Sequence, residues 1–123
     1  MGAFNAEFQI EGTGGRSISI EGLVDTSSTY TWVPRNILQG LGITPEFVRE
    51  FQTADGRIVE RDVAEARVRL DGSARTTQVV FADEPDSILL GVVTLEEFGL
   101  GVDTVNRKLV PVRGLAMPCR VLP

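Results

Sequence analysis

Leu23-Val24-Asp25-Thr26-Ser27-Ser28 runs two apolar residues straight into an acid and follows the acid with three hydroxyl side chains. A carboxylate at the end of a buried strand is costly unless something stabilises its charge or its proton. Packing alone rarely puts one there. The pattern points to a reactive aspartate held rigidly, with Thr26, Ser27 and Ser28 donating hydrogen bonds around it. The bland reading is a capping or turn aspartate after a strand, which is common.

Outward from this stretch the dominant period is two, punctuated by glycine turns. Phe8 and Ile10 alternate with polar residues up to Glu11-Gly12-Thr13-Gly14-Gly15, and Ile18 and Ile20 alternate again. That is a β-hairpin signal. The glycine run lacks the Gly-Lys-Ser/Thr sequel of a phosphate loop, so it reads as the hairpin turn. Leu23-Val24 is expected to be a short strand of its own, ending at Asp25. Tyr30 to Val33 continues extended as far as Pro34, which opens a short helix over 35–39.

Two strands over 47–53 and 57–70 flank Ala54-Asp55-Gly56, a strong turn signal. A second Asp-Gly turn, Asp71-Gly72, leads into a strand over 76–81. Ile88-Leu89-Leu90 is a wholly apolar strand ending at Gly91. A helix over 92–98 follows, with Leu95 and Phe98 on one face and Gly99 as its stop. Glu96 and Glu97 are expected on its exposed side. A last hairpin, 101–103 with 108–112, turns around Thr104 to Arg107. The fold is therefore expected to be all-β and closed, a barrel or sandwich, with one short C-terminal helix. One domain is expected over residues 1–112, with 113–123 a tail.

The 123 residues suit a single domain that buries a core without metal or disulfide staples. Hydrophobic residues make up 42%, the ordinary share for a globular protein. A net charge of -5 argues against nucleic acid as a partner, because phosphate binding needs a basic footprint. Cys119 stands alone, so no disulfide forms within the chain. It has no activating partner in the sequence and reads as an inert thiol. The first residues lack the basic and apolar regions of a signal peptide, and no apolar run is long enough to span a membrane. These features fit a reducing, cytoplasmic setting.

There is no histidine. Ser-His-Asp and Cys-His catalysis and a histidine-ligated zinc site are thereby excluded within this chain. Any catalysis must use carboxylates, hydroxyls, the lone lysine Lys108 or the one thiol.

Val24-Asp25-Thr26, Leu41-Gly42-Ile43, Ala54-Asp55-Gly56-Arg57, Leu89-Leu90-Gly91, Leu95-Glu96 and Leu109-Val110-Pro111-Val112 occur in this order and spacing. Together they resemble the retropepsin-like aspartic proteases, most closely the small single-domain type of bacteria and archaea. The likeness extends from about Phe8 to Val112.

The resemblance implies an aspartic endopeptidase that needs no metal and no organic cofactor and acts on a peptide or protein substrate. Asp25 would be catalytic, paired with Asp25 of a second copy in a homodimer. Thr26 would hydrogen-bond across the dyad to the partner chain. Ser27 and Ser28 would line the floor that holds the substrate strand. Leu89, Leu90 and Gly91 would pack behind the Asp25 loop. The hairpin around Gln52 to Arg61 would be the flap, with Ala54, Asp55, Gly56 and Arg57 at its tip.

Ser27 stands where the family usually has glycine, which tolerates unusual backbone angles and close approach of substrate. This departure motivates an alternative of another class, a non-catalytic dimeric peptide-binding module that keeps the fold. Asp55 reads equally as a solvated turn residue, and Trp32 as core packing or as a subsite wall. Val102-Asp103-Thr104 repeats Val-Asp-Thr, but Val105-Asn106-Arg107 is turn-like and no apolar-apolar-Gly-helix follows. It is read as a turn, not as a second catalytic loop.

Overall fold

The computed structural model describes residues 4–114. The expected tail therefore lies, from residue 115 onward, outside the described residues, as does Cys119. Nine strands and two short α-helices make up the described chain. The strands are β1 (Asn5–Glu11), β2 (Ser17–Val24), β3 (Thr31–Pro34), β4 (Phe47–Gln52), β5 (Ile58–Leu70), β6 (Ser73–Ala82), β7 (Leu89–Leu90), β8 (Leu100–Asp103) and β9 (Lys108–Pro111). The helices are α1 (Arg35–Gly40) and α2 (Val92–Glu97). The all-β expectation holds, and the short helices expected over 35–39 and 92–98 form as α1 and α2.

Seven strands form one sheet in the order β1-β2-β7-β3-β6-β5-β4, and β1 also pairs with β5. The β1–β5 pairing closes the sheet into a ring and leaves β4 outside it on β5. Closure leaves the six strands of the ring without the free edges that invite aggregation, and β4 keeps one. β8 and β9 form a separate two-stranded sheet.

Alternation explains which faces turn inward. Phe8 and Ile10 of β1 are buried, as are Ala64, Ala66, Val68 and Leu70 of β5, while the residues between them are exposed. Val33, Val79, Phe81 and Leu90 complete the inner wall, and Leu38 of α1 and Leu95 of α2 plug it. Each fully buried valine, leucine, isoleucine or phenylalanine among them stabilises the fold by about 1.5–3 kcal/mol relative to exposure, and the alanines by less.

The structure departs from the sequence reading at Leu23-Val24. These residues are not a separate strand but the end of β2, which pairs with β1 along its whole length, from Ser17↔Glu11 to Leu23↔Asn5. Gly22 interrupts the apolar alternation and disguises the continuity. Its buried place is kept open for the ring of Phe8.

β5 serves two partners. Its second half, Val63 to Leu70, pairs with β6 inside the ring, whereas Ile58 to Val63 pairs with β4. The β4–β5 hairpin therefore extends beyond the ring as a two-stranded arm. Its turn places Gly56 at φ 88°, where glycine carries no Cβ penalty. The Gly12–Gly15 stretch is the β1–β2 turn, as read, and Val102-Asp103-Thr104 ends β8 in a turn. There Asp103 accepts hydrogen bonds from the Val105 and Asn106 backbone and the Asn106 amide.

Candidate active site

Asp25 follows directly on the end of β2. β2 runs parallel to β7, with Leu23 beside Leu89 and Val24 beside Leu90. The same ladder reaches one residue further, where the Asp25 N–H donates to the Leu90 carbonyl at 3.2 Å. The chain then turns sharply, the Ser28 N–H donating back to the Asp25 carbonyl at 3.1 Å.

The carboxylate is fixed from its own loop. Oδ1 of Asp25 accepts the Ser27 N–H at 3.0 Å and the Ser27 hydroxyl at 2.6 Å. Bonds of this kind to a charged acceptor are the strong class of hydrogen bond. The Ser28 hydroxyl donates to the Tyr30 carbonyl at 2.8 Å, tightening the exit from the turn. Ser27 is not among the described residues with positive φ, so its position does not demand the backbone freedom of glycine.

Leu90 and Gly91 hold this loop from behind. Leu90 is wholly buried in the core. Gly91 passes so close to the Tyr30 carbonyl that a Cβ there would overlap it. The first N–H groups of α2 then bond the loop itself, Val92 to the Ser28 carbonyl at 2.9 Å and Val93 to that of Thr29 at 3.0 Å. These N–H groups have no partner within their own helix, so the loop satisfies them.

Below the loop lies a buried hydroxyl cluster. The Gly91 N–H donates to Oγ1 of Thr31 at 3.0 Å, Thr31 bonds Thr94 at 2.7 Å, and Thr94 bonds Thr77 at 3.0 Å. All three threonines are buried. Buried polar groups are tolerated when paired, and this set ties β3, β6, α2 and the Asp25 loop together.

A cleft of about 630 Å³ opens over Asp25. Ser27, Ser28, Leu89 and Trp32 line it on the ring side, and Phe51, Ala54 and Arg57 on the side of the β4–β5 arm. The structure thus brings Asp25, Ser27, Ser28, Leu89, Ala54 and Arg57 to one space. Leu90 and Gly91 stand behind it, and Thr26 is exposed and does not line it. Asp55 and Gly56 sit at the arm's tip without lining the cleft. Asp55 accepts from the Thr53 hydroxyl and pairs with Arg57 at 3.1 Å. Thr53 first, then Arg57, holds its carboxyl below the ordinary range. Trp32 lines the cleft half-buried and meets Phe51 edge-on at 5.1 Å between ring centroids.

Pro85, Asp86 and Ser87, from the β6–β7 loop, form another part of the wall. Charge pairs hold this loop. Arg61 of β5 bonds Asp86 at 2.7 Å, and Arg35 of α1 bonds both Asp83 and Asp62 at 2.7 Å. Asp86 pushes the Arg61 guanidinium above its usual range, and Asp83, then Asp62, does the same for Arg35. In return Arg35 holds the Asp83 carboxyl down. The sequence reading missed this network and the threonine cluster. The acid-rich run Asp83-Glu84-Pro85-Asp86 was a visible signal, but its arginine partners are distant in sequence.

No helix among the described residues is long and apolar enough to cross a membrane. A family model described as aspartyl protease matches residues 6–94, which span β1 to the middle of α2 and so contain Asp25, the β4–β5 arm and Leu89-Leu90-Gly91. No curated protein matches the sequence.

Proposed function

The chain belongs to the retropepsin-like aspartyl protease family, and on that premise we propose that it is an aspartic endopeptidase working as a homodimer. The observation that carries the reading is the placement of Asp25. Its carboxylate lines a cleft between the ring and the projecting arm, with one oxygen held by Ser27.

Peptide hydrolysis by this route needs two carboxylates sharing one proton, because like charges about 3 Å apart cannot both ionise. The ionised one takes a proton from a water as that water attacks the scissile carbonyl, and the protonated one polarises the carbonyl oxygen. The other acid lining this cleft, Asp86, is held by Arg61. The second carboxylate therefore comes from Asp25 of a second copy across a two-fold axis.

Thr26 and Ser27 are exposed on the single chain, which leaves the loop open to a partner. In the dimer Thr26 bonds across the axis. The β4–β5 arm acts as the flap, Ala54 and Arg57 covering a substrate strand laid between arm and floor. Such a strand is bound through backbone contacts along its length. Digestion of casein and of a peptide library from acidic to neutral pH tests the proposal, alongside light scattering. Cleavage by a dimer is expected; a monomer at high concentration, or no cleavage at any pH, would overturn it.

A further inference from the structure

A second cavity opens beside the Asp25 loop. At about 240 Å³ it is smaller than usual small-molecule sites and suits a single large side chain. Tyr30, Trp32 and Phe51 wall it, and Ser27 and Ser28 of the Asp25 loop also line it. Trp32, Phe51 and both serines also line the larger cleft, so the two spaces are continuous.

Arg49, Glu50 and Gln52 of β4 and Thr29 complete the lining. Strand alternation puts Arg49 on the same face as Phe51 and the acid Glu50 on the opposite face. The Arg49 guanidinium lies over the Tyr30 ring, 5.2 Å from the centroid, and donates to the Tyr30 hydroxyl at 2.8 Å. A guanidinium has several N–H donors in a planar fork that matches a carboxylate. Arg35, Arg57, Arg61 and Arg69 each hold a carboxylate; among the described residues none pairs with Arg49. Arg49 also lies directly across the hairpin from Arg61. Like charges in that position destabilise a strand pair. Asp86 relieves Arg61, whereas no carboxylate among the described residues lies within ion-pair distance of Arg49, although Glu50 lines the same cavity.

We infer that this pocket is a subsite for an acidic side chain of the peptide substrate, with Arg49 as its specificity-determining residue. A glutamate fits best. Its methylenes lie along Trp32 and Phe51, and its carboxylate meets the free edge of the guanidinium. The inference rests on the cleft accepting an extended peptide, and it names which peptides are preferred.

The test uses reduced-bond peptides, which bind but cannot be cleaved. They carry Glu, Gln, Lys or Phe at each position around the central bond, and titration calorimetry on the full chain reads their binding. The Glu peptide should bind about tenfold tighter than its Gln isostere at one position. Arg49→Gln should abolish that preference, Arg49→Lys should keep part of it, and Arg49→Glu should turn it toward lysine. Circular dichroism checks that each variant is folded, as expected for an exposed position. Equal binding of Glu and Gln peptides everywhere, a preference that survives Arg49→Gln, or no peptide binding at all would each overturn the inference. A protein that binds the Glu peptide through Arg49 yet digests nothing would overturn proteolysis and leave the subsite standing.

Discussion

The Ser27 hydroxyl donates to Oδ1 of Asp25 over 2.6 Å, and the Ser27 backbone N–H reaches the same oxygen over 3.0 Å. The residue that departs from the family pattern thus grips the catalytic candidate. Ser27→Ala removes the hydroxyl and keeps the N–H. It is expected to lower kcat/KM by about tenfold, the scale of one hydrogen bond to a charged group. Ser27→Thr should stay near the parent. Steady-state kinetics on a fluorogenic peptide decides it, and equal rates for Ser27→Ala and the parent would make the hydroxyl a bystander.

Gly91 has φ -91° and ψ 169°, angles that any residue adopts. Its requirement is space, because an added Cβ would overlap the backbone of Tyr30 and Thr29. Backbone cannot swing aside like a side chain. Gly91→Ala should therefore cost about 3 kcal/mol, the upper end for overpacking, and should displace the Asp25 loop. Urea denaturation measures the loss, and an unchanged midpoint would contradict this packing.

Thr31 accepts the buried Gly91 N–H and bonds Thr94. Thr31→Val keeps the shape and leaves that N–H without its partner. The expected cost is about 1–3 kcal/mol. Thermal unfolding reads it, and a neutral outcome would mean that the hydroxyl cluster is dispensable.

The charge cluster gives a pH dependence. Arg35 holds the Asp83 carboxyl below its unfolded value, which is near 3.9 for a free aspartate. A depressed carboxylate contributes stability that is fully present above the unfolded value. It is lost as pH falls through the folded one. Asp83→Asn should therefore lower Tm at neutral pH, and the two melting curves should converge below about pH 4. A gap that stays constant to pH 2 would contradict the assignment.

Much of this was legible in the sequence because it is local. Period-two alternation and glycine turns mark the hairpins, and an acid at the end of an apolar run marks Asp25. Leu89-Leu90-Gly91 could be set beside Asp25 through the family resemblance. What stayed hidden depends on which distant residues the ring brings together. Arg61 and Asp86 each look like an ordinary surface charge until β5 and the β6–β7 loop meet. Thr31, Thr77 and Thr94 read as strand and helix residues of no special note until three elements converge on them. Gly22 hid the continuity of β2 because a glycine breaks an alternating pattern whether or not the strand ends there. Ser27 was legible as a departure, but its grip on Asp25 is a matter of side-chain geometry.

The most direct measurement is peptide cleavage by Asp25→Asn beside the parent protein, with light scattering on both. Asparagine keeps the size of the side chain and its capacity to accept from Ser27, but it cannot take a proton from water. The parent should cleave, and the variant should remain a folded dimer with cleavage abolished. Retained cleavage by Asp25→Asn would contradict catalysis by a paired Asp25 dyad.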